Sequence, residues 1–136
     1  MQAISLIRPD DWHCHLRDDA YLSRTVSDTS AQFHRALIMP NLSTPITSVN
    51  LASEYRDRIL AHVPKGSPFE PVMTLYLTDD MDAKEIIAAK QTDYIKACKL
   101  YPAGATTHSS KGVSAIEKIY PLVEEMQSQD LVLCIH

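Results

Sequence analysis

Asp11-Trp12-His13-Cys14-His15-Leu16-Arg17-Asp18 places two histidines and an arginine on alternate positions near the start of the chain. In an extended strand, His13, His15 and Arg17 share one face while Trp12, Cys14 and Leu16 share the other. Two neutral imidazoles about 6–7 Å apart along such a strand can converge on one metal ion. The guanidinium beyond them could hold an anionic group against that metal. The same residues also suit a histidine-rich turn with no ligand, so the choice rests on what surrounds them.

Outward from this stretch, short apolar runs alternate with amphipathic ones. A helical pattern runs from about Ala20 to Phe33, with Leu22 and Val26 at i, i+4 spacing. Ala36-Leu37-Ile38-Met39 reads as a buried strand stopped by Pro40-Asn41. Ser48 can cap a helix from Val49 to His62, with Leu51, Tyr55, Ile59 and Val63 as its apolar stripe. Val72 to Leu77 is a further strand, and Asp82 caps a short helix through Lys90. Tyr94 to Tyr101 is a fourth strand, followed by a polar loop from Pro102 to Gly112. Ser114 and Glu117 match a capping box for a helix from Ala115 to Gln129, in which Pro121 either bends the helix or sets off its first turn. Leu131 to Ile135 is a fifth strand and His136 follows it.

Apolar strands separated by helices predict a parallel sheet covered by helices, as a single domain spanning 1–136. His15, Arg17, Asn41, Lys99 and His136 then fall at strand C-terminal ends, where parallel α/β folds build their sites. Five strands fit a small doubly wound domain or the first part of a (β/α)8 barrel, which needs about 250 residues in full. No GxGxxG or Walker pattern occurs and there are only three glycines, which weighs against a nucleotide fold.

Composition narrows the function classes. A chain of 136 residues with 45% hydrophobic content and a net charge of −4 has no basic surplus to suggest nucleic acid. No apolar run is long enough to cross a membrane. Met1-Gln2-Ala3-Ile4-Ser5 lacks the basic start and apolar stretch of a signal peptide. Cys14, Cys98 and Cys134 lie in strand-like runs and read as reduced core cysteines of a cytoplasmic protein.

Lys99 is the second chemical anomaly. It shares a strand face with Ile95 and Ala97, and an amine there is costly to desolvate unless paired, deprotonated or modified. A neutral amine reacts with carbon dioxide to give a carbamate, a carboxylate on a long stem that could bridge two cations. At the top of the strand the same lysine could instead snorkel to water. Asn41 could donate to a substrate carboxylate or cap its turn. His136 is a ligand candidate or an edge histidine, and His34, His62 and His108 read as structural or solvated. Tyr76 and Thr78 have no distinctive role. The acid pairs Asp10-Asp11, Asp18-Asp19, Asp79-Asp80 and Glu124-Glu125 read as turn, cap and surface residues.

Taken in order, the Asp11–Asp18 stretch, Ile38-Met39-Pro40-Asn41-Leu42, Tyr76-Leu77-Thr78, Lys99-Leu100-Tyr101-Pro102-Ala103, Ala105-Thr106-Thr107 and the strand ending in His136 resemble dihydroorotases of the bacterial monofunctional type, within the amidohydrolase superfamily. The resemblance implies a TIM (β/α)8 barrel, of which roughly the first four to five β/α units are present. It implies two zinc ions, with His13 and His15 on the more buried ion, a carbamylated Lys99 bridging both, and His136 on the second. Arg17 and Asn41 would hold a substrate carboxylate, and Thr106 and Thr107 would belong to a loop that closes over the ligand. Gly104 and His108 depart from the asparagines expected in that loop. The implied reaction is the reversible cyclisation of N-carbamoyl-L-aspartate to L-dihydroorotate in pyrimidine synthesis, by an enzyme that is a homodimer at full length. A further histidine ligand and a general-base aspartate are expected on later strands, so no catalytic base lies in this chain. The chain alone is therefore expected to be inactive and to resemble a fragment of a longer enzyme. Two other functions fit less well: a cyclic amidohydrolase of the dihydropyrimidinase or hydantoinase kind, or a truncated relative serving as a non-catalytic binding partner.

Overall fold

The computed structural model describes residues 3–136. Met1 and Gln2, part of the N-terminal reading above, lie outside the described residues. Five strands form one parallel sheet in the order β1-β2-β3-β4-β5, with β1 at Asp11–Cys14, β2 at Arg35–Ile38, β3 at Glu70–Tyr76, β4 at Ile95–Leu100 and β5 at Val132–Ile135. Strict chain order excludes the doubly wound alternative, whose sheet reverses direction around its first strand. It is the order of a barrel wall, here left open between β1 and β5.

The helices α1 (Leu22–Gln32), α2 (Val49–His62), α3 (Ala83–Lys90) and α4 (Tyr120–Ser128) fill the crossovers. Their apolar faces meet the sheet in a core that includes Val26, Tyr55, Ile59, Leu75, Ile86, Cys98, Ile119 and Met126. A second, smaller cluster of Leu37, Met39 and Ala97, with Val72 and Cys134 against it, lies on the other face. Because β2 alternates, Ala36 and Ile38 serve the first cluster while Leu37 serves the second. Lys99 lies two residues after Ala97 and so belongs to this inner face.

The expected caps at Ser48 and Asp82 are present, accepting from the Leu51 and Lys84 backbone N–H groups. The expected capping box at Ser114 is not. Ser114 donates its hydroxyl to Asp79 and its backbone N–H goes to the same carboxylate at 2.9 Å. The segment Ile116–Ile119 is a separate 3-10 turn, and α4 starts beyond it with Pro121 in its first turn. Proline lacks only an N–H that would be unpaired there. The strand alternation at the start also stops early: β1 ends at Cys14, and Arg17 adopts a left-handed φ of 61°. No helix among the described residues is long and apolar enough to cross a membrane.

Candidate active site

The turn after β1 is bent sharply and then held. A left-handed non-glycine residue costs roughly 1–2 kcal/mol, so neighbours must fix it. The hydroxyl of Tyr55, a fully buried residue of α2, donates to the Arg17 carbonyl. Asp18 accepts from Asp19 N–H at 3.0 Å and pairs with Arg58 at 2.7 Å. Leu16 is anchored in the core.

Just before this turn the His13 and His15 rings lie together, with their Nε2 atoms 3.2 Å apart. Burial, then the charge of Lys99, pulls the His13 pKa down. Burial, then the charge of Arg17, does the same to His15. Both imidazoles are thereby favoured in the neutral form, which carries the lone pair a metal needs.

Lys99 is only 2% exposed, and none of the ion pairs among the described residues involves it. Its ammonium donates to the Ile135 carbonyl at 3.4 Å and sits 5.4 Å from the Tyr101 ring centroid. Burial lowers its pKa. The His136 ring packs against Tyr101, with ring centroids 5.6 Å apart.

Beside this group opens a cleft of about 660 Å³, lined by residues including Arg17, Asn41, Thr44, Arg58, Thr107 and His108. Arg17 Nη1 is buried there without a hydrogen-bond partner. Asn41, also buried, donates through Nδ2 to the Thr107 carbonyl at 3.1 Å and accepts at Oδ1 from Tyr101 at 2.9 Å. Thr107 therefore reaches the cleft. Thr106 does not line it: its backbone N–H and carbonyl are both taken by the buried Ser109 hydroxyl.

Two buried tyrosines that sequence patterning passed over join the parts. Tyr76 stacks on Tyr101 with ring centroids 5.1 Å apart and donates to the His108 carbonyl at 3.3 Å. The signal for Tyr101 was its place two residues after Lys99, on the same face. Tyr76 is the register partner of Lys99 on the adjacent strand. His108 belongs to the cleft wall, with a left-handed φ of 56°. His34 and His62 lie outside the group.

The donor chemistry suits a metal in part. Two neutral imidazoles converge, and a buried amine without an anionic partner lies within their electrostatic reach. Among the described residues no three His, Cys, Asp or Glu side chains close on one point.

No protein-family model matches the chain. Dihydroorotase from Coxiella burnetii is 64% identical over all 136 residues, which correspond to 39% of that protein. The crystal structure of dihydroorotase from Campylobacter jejuni superimposes with a TM-score of 0.86 at 39% identity, covering 95% of this chain and 38% of that one. Dihydroorotase from Saccharomyces cerevisiae, solved in complex with 5-fluoroorotic acid, gives 0.85 at 34% identity over 94% of this chain and 35% of its own. L-hydantoinase (dihydropyrimidinase) from Arthrobacter aurescens shares the fold alone, at 13% identity and a TM-score of 0.68. The chain spans about two fifths of the length of the curated relatives it matches. Matched from one end to the other by proteins of that name, and sharing their parallel half-barrel, the chain belongs to the dihydroorotase family.

Proposed function

We propose that this chain contributes the first metal ligands and the carboxylate-binding groups of a dihydroorotase, which interconverts N-carbamoyl-L-aspartate and L-dihydroorotate. One arrangement carries the reading: Arg17, one of whose guanidinium nitrogens is buried without a partner, lines a cleft with Asn41 beside the converging His13 and His15 imidazoles. An unpartnered guanidinium N–H is satisfied by an anionic ligand, and a planar fork suits a carboxylate. The ligand in the yeast relative's crystal, 5-fluoroorotic acid, carries such a group on a pyrimidine ring.

His13 and His15 would hold one zinc ion, Lys99 as a carbamate would bridge to a second, and His136 would bind that second ion. The bound ions would supply polarisation of the ring amide carbonyl and a water acidic enough to attack it near neutral pH. The chain's own side chains do the rest. Arg17 and Asn41 fix the α-carboxylate and so set the distance between the reacting amide and the histidines. Thr107, with Thr106 beside it in the loop, would close the cleft above the ring and exclude bulk water. A general base would come from later strands. The small-molecule substrate, an action without nucleic acid or membrane, a cytoplasmic setting and a homodimeric whole enzyme all belong to this proposal.

The test is a full-length enzyme carrying this sequence, its own or a chimera in which the chain replaces the matching part of the Coxiella burnetii relative. Zinc-dependent turnover of L-dihydroorotate, well above that of dihydrouracil or hydantoin, is expected. Equal turnover of the neutral rings would refute the assignment of Arg17.

A further inference from the structure

The polar loop after β4 is tied down at its tip as well as its base. At the base, Val113 N–H donates to the Tyr101 carbonyl at 2.8 Å and Ala103 N–H to the Val113 carbonyl at 2.9 Å. A Cβ at Gly112 would lie 2.2 Å from the Tyr101 carbonyl oxygen, so the backbone packs there without room for a side chain. At the tip, two successive carbonyls, Thr107 and His108, turn inward onto side chains from the sheet. The left-handed backbone at His108 is part of that turn.

The direction of every bond at the tip is fixed by chemistry. A carbonyl only accepts, so the Asn41 Nδ2 must face Thr107 and the Tyr76 hydroxyl must donate to His108. Asn41 Oδ1 is then left facing Tyr101, whose hydroxyl must donate to it. The two donors stack on each other, fully buried, at the ends of β3 and β4. Hydroxyls anchored to neighbouring strands thus set both the resting place of the loop and the orientation of the Asn41 amide.

We propose that Tyr76 and Tyr101 are positioning residues that latch this loop over the cleft and aim the second Asn41 N–H at the substrate carboxylate. Tyr76 acts on the loop directly. Tyr101 acts through Asn41, so it affects loop and carboxylate together. The loop half of this inference stands on geometry alone, and the carboxylate half rests on the function proposed above.

Tyr76→Phe and Tyr101→Phe, made in the full-length enzyme, keep the stacked rings and remove one hydroxyl each. Loss of one neutral hydrogen bond corresponds to roughly a three- to tenfold change in an equilibrium. Tryptic cleavage after the exposed Lys111 should therefore quicken by that factor in both variants, with the thermal midpoint nearly unchanged. The KM for dihydroorotate should rise by a similar factor, with kcat within about twofold for Tyr76→Phe. Tyr101→Phe should also narrow the preference for dihydroorotate over dihydrouracil. Cleavage that is no faster in either variant, or faster only in step with cleavage across the whole protein, would overturn the latch. Faster cleavage at Lys111 with an unaltered KM would uphold the latch and instead remove the loop from substrate binding.

Discussion

Arg17 combines a left-handed backbone with a buried guanidinium nitrogen that has no partner, the features on which its proposed carboxylate role rests. Its carbonyl is pinned by Tyr55. Hydrogen bonds to a charged group are worth about 1.5–3 kcal/mol, so Arg17→Met should raise the KM for dihydroorotate roughly ten- to hundredfold. Turnover of dihydrouracil, which lacks the carboxylate, should hardly change, and the unliganded thermal midpoint should rise slightly as a buried unpartnered N–H group is removed. Steady-state assays on both rings and a thermal scan check the three outcomes, and equal losses on both rings would show a general structural role instead. His13 and Lys99 stood out in the sequence because a polar side chain within a strand contradicts an apolar pattern, and His15, Arg17 and Asn41 because they follow strand ends. Tyr76 and Tyr101 did not, since a buried aromatic at a strand end looks like ordinary core until its hydroxyl is seen to donate. Nor could alternation foresee the left-handed bend at Arg17.

At the scale of elements, local signals held wherever nothing distant competed with them. Ser48 and Asp82 cap their helices as their positions suggested. Ser114 carries the same local signal, yet Asp79 at the end of β3 takes both its N–H and its hydroxyl and also pairs with Lys118 at 2.7 Å. A carboxylate from 35 residues earlier outcompetes the capping box because it satisfies three donors at once. Those donors, Lys118 first and then Ser114, hold the Asp79 carboxyl down to about 2. Its folded pKa is below the unfolded value of 3.8, so the unfolded chain takes up the proton first as pH falls. The clamp's contribution is thus complete above about pH 4 and disappears as pH drops through about 2. Asp79→Asn should flatten this acid limb in a stability-versus-pH series while leaving the slope near neutrality unchanged. An unaltered limb would mean the clamp does not form in solution.

The whole molecule is a curved wall with two raw edges. Parallel pairing and helix placement follow from the alternation of apolar runs and helices, because parallel strands require crossovers, whereas strand order, which separates a barrel wall from a doubly wound sheet, does not. Nor does alternation encode closure, which depends on strands that would stand beside β1 and β5. Among the described residues no strand pairs with the outer sides of β1 and β5, and Trp12, Val132 and Ile135 are 56%, 59% and 66% exposed. Unpaired strand edges with apolar side chains recruit other strands, whichever are at hand. Produced alone, the 136-residue chain should therefore elute as oligomers or aggregate, and should turn over no dihydroorotate. Co-produced with the remaining three fifths of the Coxiella burnetii relative as a separate polypeptide, it should form a one-to-one complex of barrel size that gains zinc and activity together. Size-exclusion chromatography with light scattering, zinc content and turnover decide the matter. A monodisperse, fully active monomer of the isolated chain would mean that the edges are already satisfied and that the residues described here suffice without the missing strands.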